Sequence, residues 1–177
     1  MKIIFIQGER IYLRPLKKDD IDGNYSNWLN DPLINKFNSH GRFTKNKGEL
    51  IDYVTKVSSS KNDLVLAIVT KDSNEHIGNI SLQNINWIDS NAEIAFILGE
   101  TNYWGKGIMF EAGELIIQHA FKKLNLHRVY CATAENNVGM KKLAMKLGMK
   151  KEGVRKDAIF NDGKFLDIIE FGIIKGQ

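Results

Sequence analysis

The sequence predicts a mixed α/β fold, with a mixed central sheet flanked by helices. Three observations predict it. Apolar, β-favouring runs such as Leu64–Thr70 and Asn91–Leu98 have the length of strands and not of helices. They alternate with segments of helical period. After Gly107 the chain keeps Met109, Ala112, Gly113, Ile116 and Ala120 on one side and Glu111, Glu114, Gln118 and Lys122 on another. Finally, 177 residues that are 43% hydrophobic and 26% charged suit one domain, residues 1–177, with a sizeable core.

Arg10 to Leu16 alternates Ile11 and Leu13 with polar residues and reads as a first strand. Asp19-Asp20 starts a helix, with carboxylates suited to its first turn. Ile21, Tyr25, Trp28 and Leu29 continue it at helical spacing, and Pro32 stops it at Asn30-Asp31 by pushing the preceding residue out of the helical region. Leu33–His40 is a loop or a short helix. A further helix is expected from Thr44 to the Ser58-Ser59-Ser60 cluster. Leu64–Thr70 and His76–Ile85 are strands joined by a turn at Asp72-Ser73-Asn74. Asn91–Leu98, the long helix, a strand at His127–Ala134 and a helix at Val138–Leu147 follow. Lys151–Phe160 and Lys164–Ile173 close the chain as a hairpin around Asn161-Asp162-Gly163.

The chain is organised around the junction between the Asn91–Leu98 strand and the long helix, which reads Gly99-Glu100-Thr101-Asn102-Tyr103-Trp104-Gly105-Lys106-Gly107. The first amides of a helix have no partner inside it, and the helix dipole adds partial positive charge there. Phosphate is the natural occupant, and Gly105 and Gly107 let the backbone approach it closely. A P-loop would need Gly-x-x-x-x-Gly-Lys-Ser/Thr. Here five residues separate Gly99 from Gly105, and Gly107 stands where the hydroxyl should be. A dinucleotide fingerprint would need a third glycine, and Gly105-Lys106-Gly107-Ile108-Met109-Phe110 lacks it.

Asn102-Tyr103-Trp104-Gly105-Lys106-Gly107 resembles motif A of the GNAT acyltransferases (Gcn5-related N-acetyltransferases), Gln/Arg-x-x-Gly-x-Gly/Ala, with Asn102 departing from the usual Gln or Arg. A second block, Glu135 to Gly153, is similar to the family's Asn-x-Ala-Ser-x-x-x-x-x-Lys-x-Gly-Phe-x-x-Glu-Gly. Anchored on Gly148-Met149, it places the family asparagine at Asn137 and the lysine at Lys146. Gly8–Leu16 is similar to the family's first strand, so the likeness covers nearly the whole chain. The Tyr-Trp-Gly-Lys-Gly variant looks like the branch of ribosomal-protein N-terminal and bacterial amino-sugar acetyltransferases.

The resemblance implies acetyl-CoA as co-substrate and direct attack of an amine on its thioester. It implies that the strands at Asn91–Leu98 and His127–Ala134 splay apart. The cofactor's pantetheine would pair with main chain near Phe96, Ile97 and Leu98, and its diphosphate would sit on Trp104, Gly105, Lys106 and Gly107. Asn137, after a strand end, would bond the cofactor or the amine, or act only as a helix cap. Glu93 is the carboxylate expected to take the amine's proton, directly or through water. By strand alternation it shares a face with Ala95 and Ile97. Relatives that protonate the leaving thiolate with a tyrosine, seven residues after the asparagine, or a serine, three after it, have no counterpart here: those positions are Ala144 and Met140. Trp28, His40 and Arg42 are candidate acceptor contacts. Trp28 also fits a core role, and Arg42 would suit the phosphate of a nucleotide-linked sugar. Cys131, mid-strand, reads as a small core residue and not a nucleophile.

Composition narrows the rest. A net charge of +4 without a nucleic-acid motif gives no nucleic-acid binder. No apolar run reaches the roughly 18–20 residues that cross a bilayer. One cysteine and four scattered histidines give neither a disulfide framework nor a zinc pattern, and a reducing cytoplasm is the simplest compartment. The expected partner is a small-molecule amine, and the expected activity is acetylation of an amino sugar, nucleotide-linked. The alternatives are a protein N-terminus, a polyamine, or a non-catalytic acyl-CoA-binding module. Oligomeric state is open, with homodimers common among look-alikes.

Overall fold

In a computed structural model, residues 3–176 are described, apart from the side chains of residues 39 and 40. One eight-stranded sheet runs through them in the order β1-β2-β3-β4-β5-β6-β8-β7. The strands are β1 (Ile6–Gln7), β2 (Ile11–Pro15), β3 (Leu64–Thr70), β4 (His76–Asn86), β5 (Asn91–Leu98), β6 (Arg128–Ala134), β7 (Lys150–Asn161) and β8 (Lys164–Ile174). The helices are α1 (Tyr25–Asn30), α2 (Lys47–Ser59), α3 (Ile108–Lys122) and α4 (Val138–Lys146). Neighbouring strands are antiparallel except β5 and β6, which run parallel.

Strand alternation gives the sheet two buried faces. On β3, Leu66 and Ile68 join the cluster under α3 and α4, while Ala67 and Val69 join the cluster under α1 and α2. The predicted inner stripe of α3 is observed: Ala112, Gly113, Ile116 and Ala120 are buried. Glu111 is not a solvent-facing residue of that helix. Its carboxylate accepts from the main-chain N–H groups of Glu9 (2.7 Å), Arg10 (2.9 Å) and Ile11 (3.3 Å), which leads the chain into β2.

Strand ends shift by a residue or so, and two helix starts differ from the sequence reading. The helix expected from Asp19 is broken at Gly23, whose extended backbone separates a 3-10 turn at Lys18–Asp22 from α1. Asp20 serves as an ion-pair partner, taking both guanidinium nitrogens of Arg14 at 2.6 and 2.8 Å. The next helix begins at Lys47 and not at Thr44. Asn46 and Glu49 make a reciprocal capping box there, each side chain accepting the other's main-chain N–H at 3.0 Å.

The parallel pairing of β5 and β6 lasts for three residue pairs, from Asn91↔Arg128 to Glu93↔Tyr130. Beyond Glu93 the strands part. β5 stays on β4 through Leu98, and β6 stays on β8 through Ala134. The sheet is therefore forked, with Glu93 in the crotch.

Candidate active site

A cavity of about 680 Å³ runs through the fork. One lip is Glu93–Ile97 of β5 and the other is Cys131–Ala134 of β6, with Asn137 and Met140 of the following turn and helix beside it. The β5 lip has unused main-chain groups. Gly99 N–H bonds Ile77 O at 3.0 Å, which fixes the phase of the β4–β5 ladder. Hydrogen-bonded pairs recur every second residue of an antiparallel ladder, so Phe96 and Leu98 turn their main-chain groups away from β4 and into the fork. The Leu98 carbonyl is partly occupied, accepting from Trp104 Nε1 at 3.0 Å, and Leu98 does not line the cavity, whereas Phe96 and Ile97 do.

The glycine turn lies between the end of β5 and α3. Gly105 and Gly107 have φ of +72° and +76°, values that carry strain for any residue with a Cβ. Among the described residues, no hydrogen-bond partner is found for the main-chain N–H groups of Gly105, Gly107, Ile108 and Met109. Arg10 Nη1 donates to Lys106 O at 2.8 Å. The peptide plane is rigid and trans, so this contact aims the Gly107 N–H to the opposite side, away from Arg10. Lys106 and Trp104 are exposed, and the Lys106 ammonium rests 5.6 Å from the Tyr103 ring centroid. An anion here would meet unpartnered amides and the positive end of a fifteen-residue helix.

Asn137 caps α4. Its Oδ1 accepts from Met140 N–H at 3.1 Å and its Nδ2 donates to Thr133 Oγ1 at 3.0 Å. Glu93 lies at the crotch within 3.5 Å of Asn84 Nδ2 and faces Tyr130 across the parallel pair. Cys131 packs its sulfur 3.6 Å from Met149 Sδ, and burial pushes its thiol up to about 12, which keeps it a thiol. Ala144 is fully buried in α4, away from the cavity, and Met140 lines it.

The three expected acceptor contacts fare differently. Trp28 is 4% exposed and does not line the cavity. Its indole covers Gly99, where a Cβ would fall 1.9 Å from Trp28 Cδ2, and its Nε1 donates to Glu100 at 3.0 Å, so it is a core residue. Arg42 is exposed and donates to Phe160 O at 2.9 Å. It borders a separate pocket of about 340 Å³ with Lys36, Asp31 and Asn161, which shares Phe37, Asn38 and Ile159 with the large cavity. The side chain of His40 lies outside the described residues.

Several cavity residues were not singled out from the sequence. On β4, Asn79, Ser81 and Gln83 face the cavity while Ile80 and Leu82 enter the opposite core. Glu49 and Tyr53 of α2 approach from across the cavity. Asn79 ends a buried chain of polar contacts: Arg14 pairs with Asp20, Asp20 lies 3.5 Å from His76 Nδ1, and His76 Nε2 is 2.8 Å from Asn79 Oδ1. Gly78 O also lies 3.1 Å from His76 Nε2, which makes that nitrogen a donor. Asn79 therefore accepts with its oxygen and keeps its amide nitrogen as a donor. Burial pulls the His76 pKa down against the opposing pull of Asp20. The signal in the sequence was the strict alternation Asn79-Ile80-Ser81-Leu82-Gln83, which marks a polar strand face without saying that a cavity covers it.

Residues 10–150 match the family model for the acetyltransferase (GNAT) domain. The chain belongs to the GNAT acetyltransferases. It is similar to an uncharacterized N-acetyltransferase p20 of Bacillus licheniformis, at 30% identity over 96% of this chain and 95% of that one. It superposes on a spermidine N-acetyltransferase of Vibrio cholerae, solved with CoA and spermine, with a TM-score of 0.86, 23% identity, and coverage of 94% and 96%. It superposes equally on RimL, a ribosomal L7/L12 α-N-protein acetyltransferase in complex with CoA, with a TM-score of 0.86, 18% identity, and 98% of each chain covered. As a GNAT acetyltransferase, the protein has the forked sheet and the glycine turn as the two landmarks that orient every other site residue.

Proposed function

We propose that the protein transfers the acetyl group of acetyl-CoA to the primary amine of a small hydroxylated molecule, an amino sugar on a nucleotide carrier. One observation carries this reading: a cavity threads the sheet fork, with a cradle of unpartnered amides beyond the end of one lip and a polar, charge-balanced chamber on the α1–α2 side. Acetyl-CoA fits the residues present. The amides of Gly105, Gly107 and Ile108 would hold its diphosphate, and the open edge at Phe96 would hold its pantetheine by main-chain hydrogen bonds. Acetyl-CoA supplies the acetyl group as a thioester, an acyl donor that a neutral amine can attack directly.

Glu93, in the crotch of the fork, would take the proton that the amine must lose. Only the neutral amine attacks, and a carboxylate in the fork would both attract the charged form and receive its proton, directly or through water. Asn79, Ser81 and Gln83 offer neutral donors and acceptors to sugar hydroxyls. Arg42 and Lys36, in the adjoining pocket, suit a phosphate on the carrier.

A second reading, a polyamine acceptor, is favoured by the two carboxylates Glu49 and Glu93 in the cavity and by the spermidine acetyltransferase among the structural neighbours. Against it, Lys45 and Arg155 line the same cavity and leave it without the acidic excess that a polycation selects. Thiol release from acetyl-CoA, measured with amino sugars, nucleotide-linked amino sugars, polyamines and peptides, tests both. Release with the amino sugars supports the first reading. Release with spermidine or spermine alone, or with peptides alone, refutes it.

A further inference from the structure

We propose that the Thr133 hydroxyl is the hydrogen-bond donor to the sulfur that leaves acetyl-CoA, a role that rests on the acyl-transfer reading above. The orientation of one amide decides it. The main-chain N–H of Met140 can only donate, and it meets Asn137 Oδ1 at 3.1 Å. The other end of that amide is therefore Nδ2, which donates to Thr133 Oγ1 at 3.0 Å. Thr133 Oγ1 is the acceptor in that contact, and its own proton is directed elsewhere. Among the described residues no acceptor takes it.

Thr133 is 8% exposed and lines the cavity on the β6 lip, across the fork from Phe96 and Ile97. A buried hydroxyl with an unused donor is costly unless water or a ligand in the cavity satisfies it, and Thr133 offers that donor to whatever fills the fork. Three neighbouring side chains do not fill the role. Met140 has no proton to offer, Ala144 is buried without a donor, and Cys131 is packed on Met149.

In the transfer, the amine nitrogen bonds to the acetyl carbonyl carbon and the carbon–sulfur bond breaks. The sulfur departs with the electron pair, and the surplus proton of the amine passes to Glu93, directly or through water. Glu93 passes each proton it receives on to solvent, and the sulfur takes one proton back from solvent, so the products are an amide and a thiol and the carboxylate is restored. Thr133 keeps its proton throughout. A hydroxyl is too weak an acid to surrender it to a thiolate whose thiol titrates near about 8.5. Its hydrogen bond instead stabilises charge on the sulfur as that charge develops.

The test compares the wild type with Thr133→Val and Thr133→Ser. The thiolate absorbance of CoA bound to each protein is titrated against pH, and kcat is measured with acetyl-CoA and the best amine of the panel. The expected result is a bound thiol that titrates about one unit higher in Thr133→Val, a tenfold change in the thiolate equilibrium, with Thr133→Ser matching the wild type. kcat should fall about tenfold in Thr133→Val alone, with KM for acetyl-CoA within about twofold. An unchanged thiol titration in a folded Thr133→Val protein overturns the proposal, even if its melting temperature drops, because a merely structural role moves only the latter. Thr133→Ala carries the same comparison if the valine variant does not fold. Failure of the wild type to bind CoA at all refutes the acyl-transfer reading, and the proposal falls with it.

Discussion

Adding one methyl group at Gly105 and, separately, at Gly107 distinguishes an anion cradle from an ordinary tight turn. Both residues sit at positive φ, +72° and +76°. An alanine there costs about 1–2 kcal/mol of folding stability from the backbone alone. At this chain length that is a fall in Tm of about 2–8 °C, and the two variants should share it. Their surroundings differ. A Cβ on Gly105 meets nothing within 4 Å, whereas a Cβ on Gly107 lies 3.5 Å from Arg10 Nη2, an ordinary contact on the side away from its own N–H. A methyl at Gly105 thus intrudes only on whatever occupies the open side of the turn. If a diphosphate sits there, the methyl displaces it from one or two charge-assisted hydrogen bonds worth about 1.5–3 kcal/mol each. Titration calorimetry with CoA should then show at least about a tenfold loss of affinity in Gly105→Ala and less than about threefold in Gly107→Ala, with similar melting temperatures. Equal losses in the two variants, or wild-type affinity in Gly105→Ala, would refute the assignment of this turn to the diphosphate.

Two more perturbations probe the fork and its foundation. Glu93→Gln keeps the size of the side chain and removes the proton acceptor. It should lower kcat about a hundredfold with CoA affinity within about twofold, and unchanged turnover would remove Glu93 from the chemistry. Glu111 holds three main-chain N–H groups and Arg10 Nε (2.9 Å), and those hydrogen bonds, set against the opposing effect of burial, hold its carboxyl below the usual range. A depressed carboxylate stabilises the fold above its unfolded pKa of about 4.3 and loses that contribution as pH falls through the lower folded value. Glu111→Gln should therefore melt below the wild type at pH 7, by the equivalent of about 1–3 kcal/mol. In thermal scans from pH 7 down to pH 3 the gap should narrow below about pH 4.3, and a gap independent of pH would refute the role of its charge.

The fold was legible because its signals are local. Leu64–Thr70 and Asn91–Leu98 were read with the bounds they have in the structure, since a run of β-favouring residues between turn formers leaves little choice. The buried stripe of α3 followed from period alone. One error passed over a local signal, the capping box of Asn46 and Glu49, and two arose where a tertiary partner overrode a local preference. Asp19-Asp20 looks like the start of a helix, but Asp20 is claimed by Arg14 on β2, and Gly23 then breaks the helix. Glu111 looks like a solvent residue on a polar helix face, but it is the clamp on residues 9–11, an association about 100 positions away that no window on the sequence contains.

The same division governs the site. The turn at Gly105–Gly107 announces itself because glycines at fixed spacing before a helix have a backbone purpose. The cavity proposed to take the acceptor does not, because it is assembled from single residues on β4, β5, α2 and the loop after α1, each unremarkable in its own segment. Asn79, Ser81 and Gln83 look like the wet face of a strand, and only the packing of α1 and α2 over that face turns them inward. Thr133 shows the limit most clearly. Its neighbours Ala132 and Ala134 are also small strand residues, and what distinguishes it is the direction of the Asn137 amide, set by one N–H on α4. On the proposed reading, donor recognition would rest on main chain and be written in glycines. Acceptor recognition would rest on side chains brought together from distant segments, which makes specificity a property of the assembled sheet fork and not of any motif.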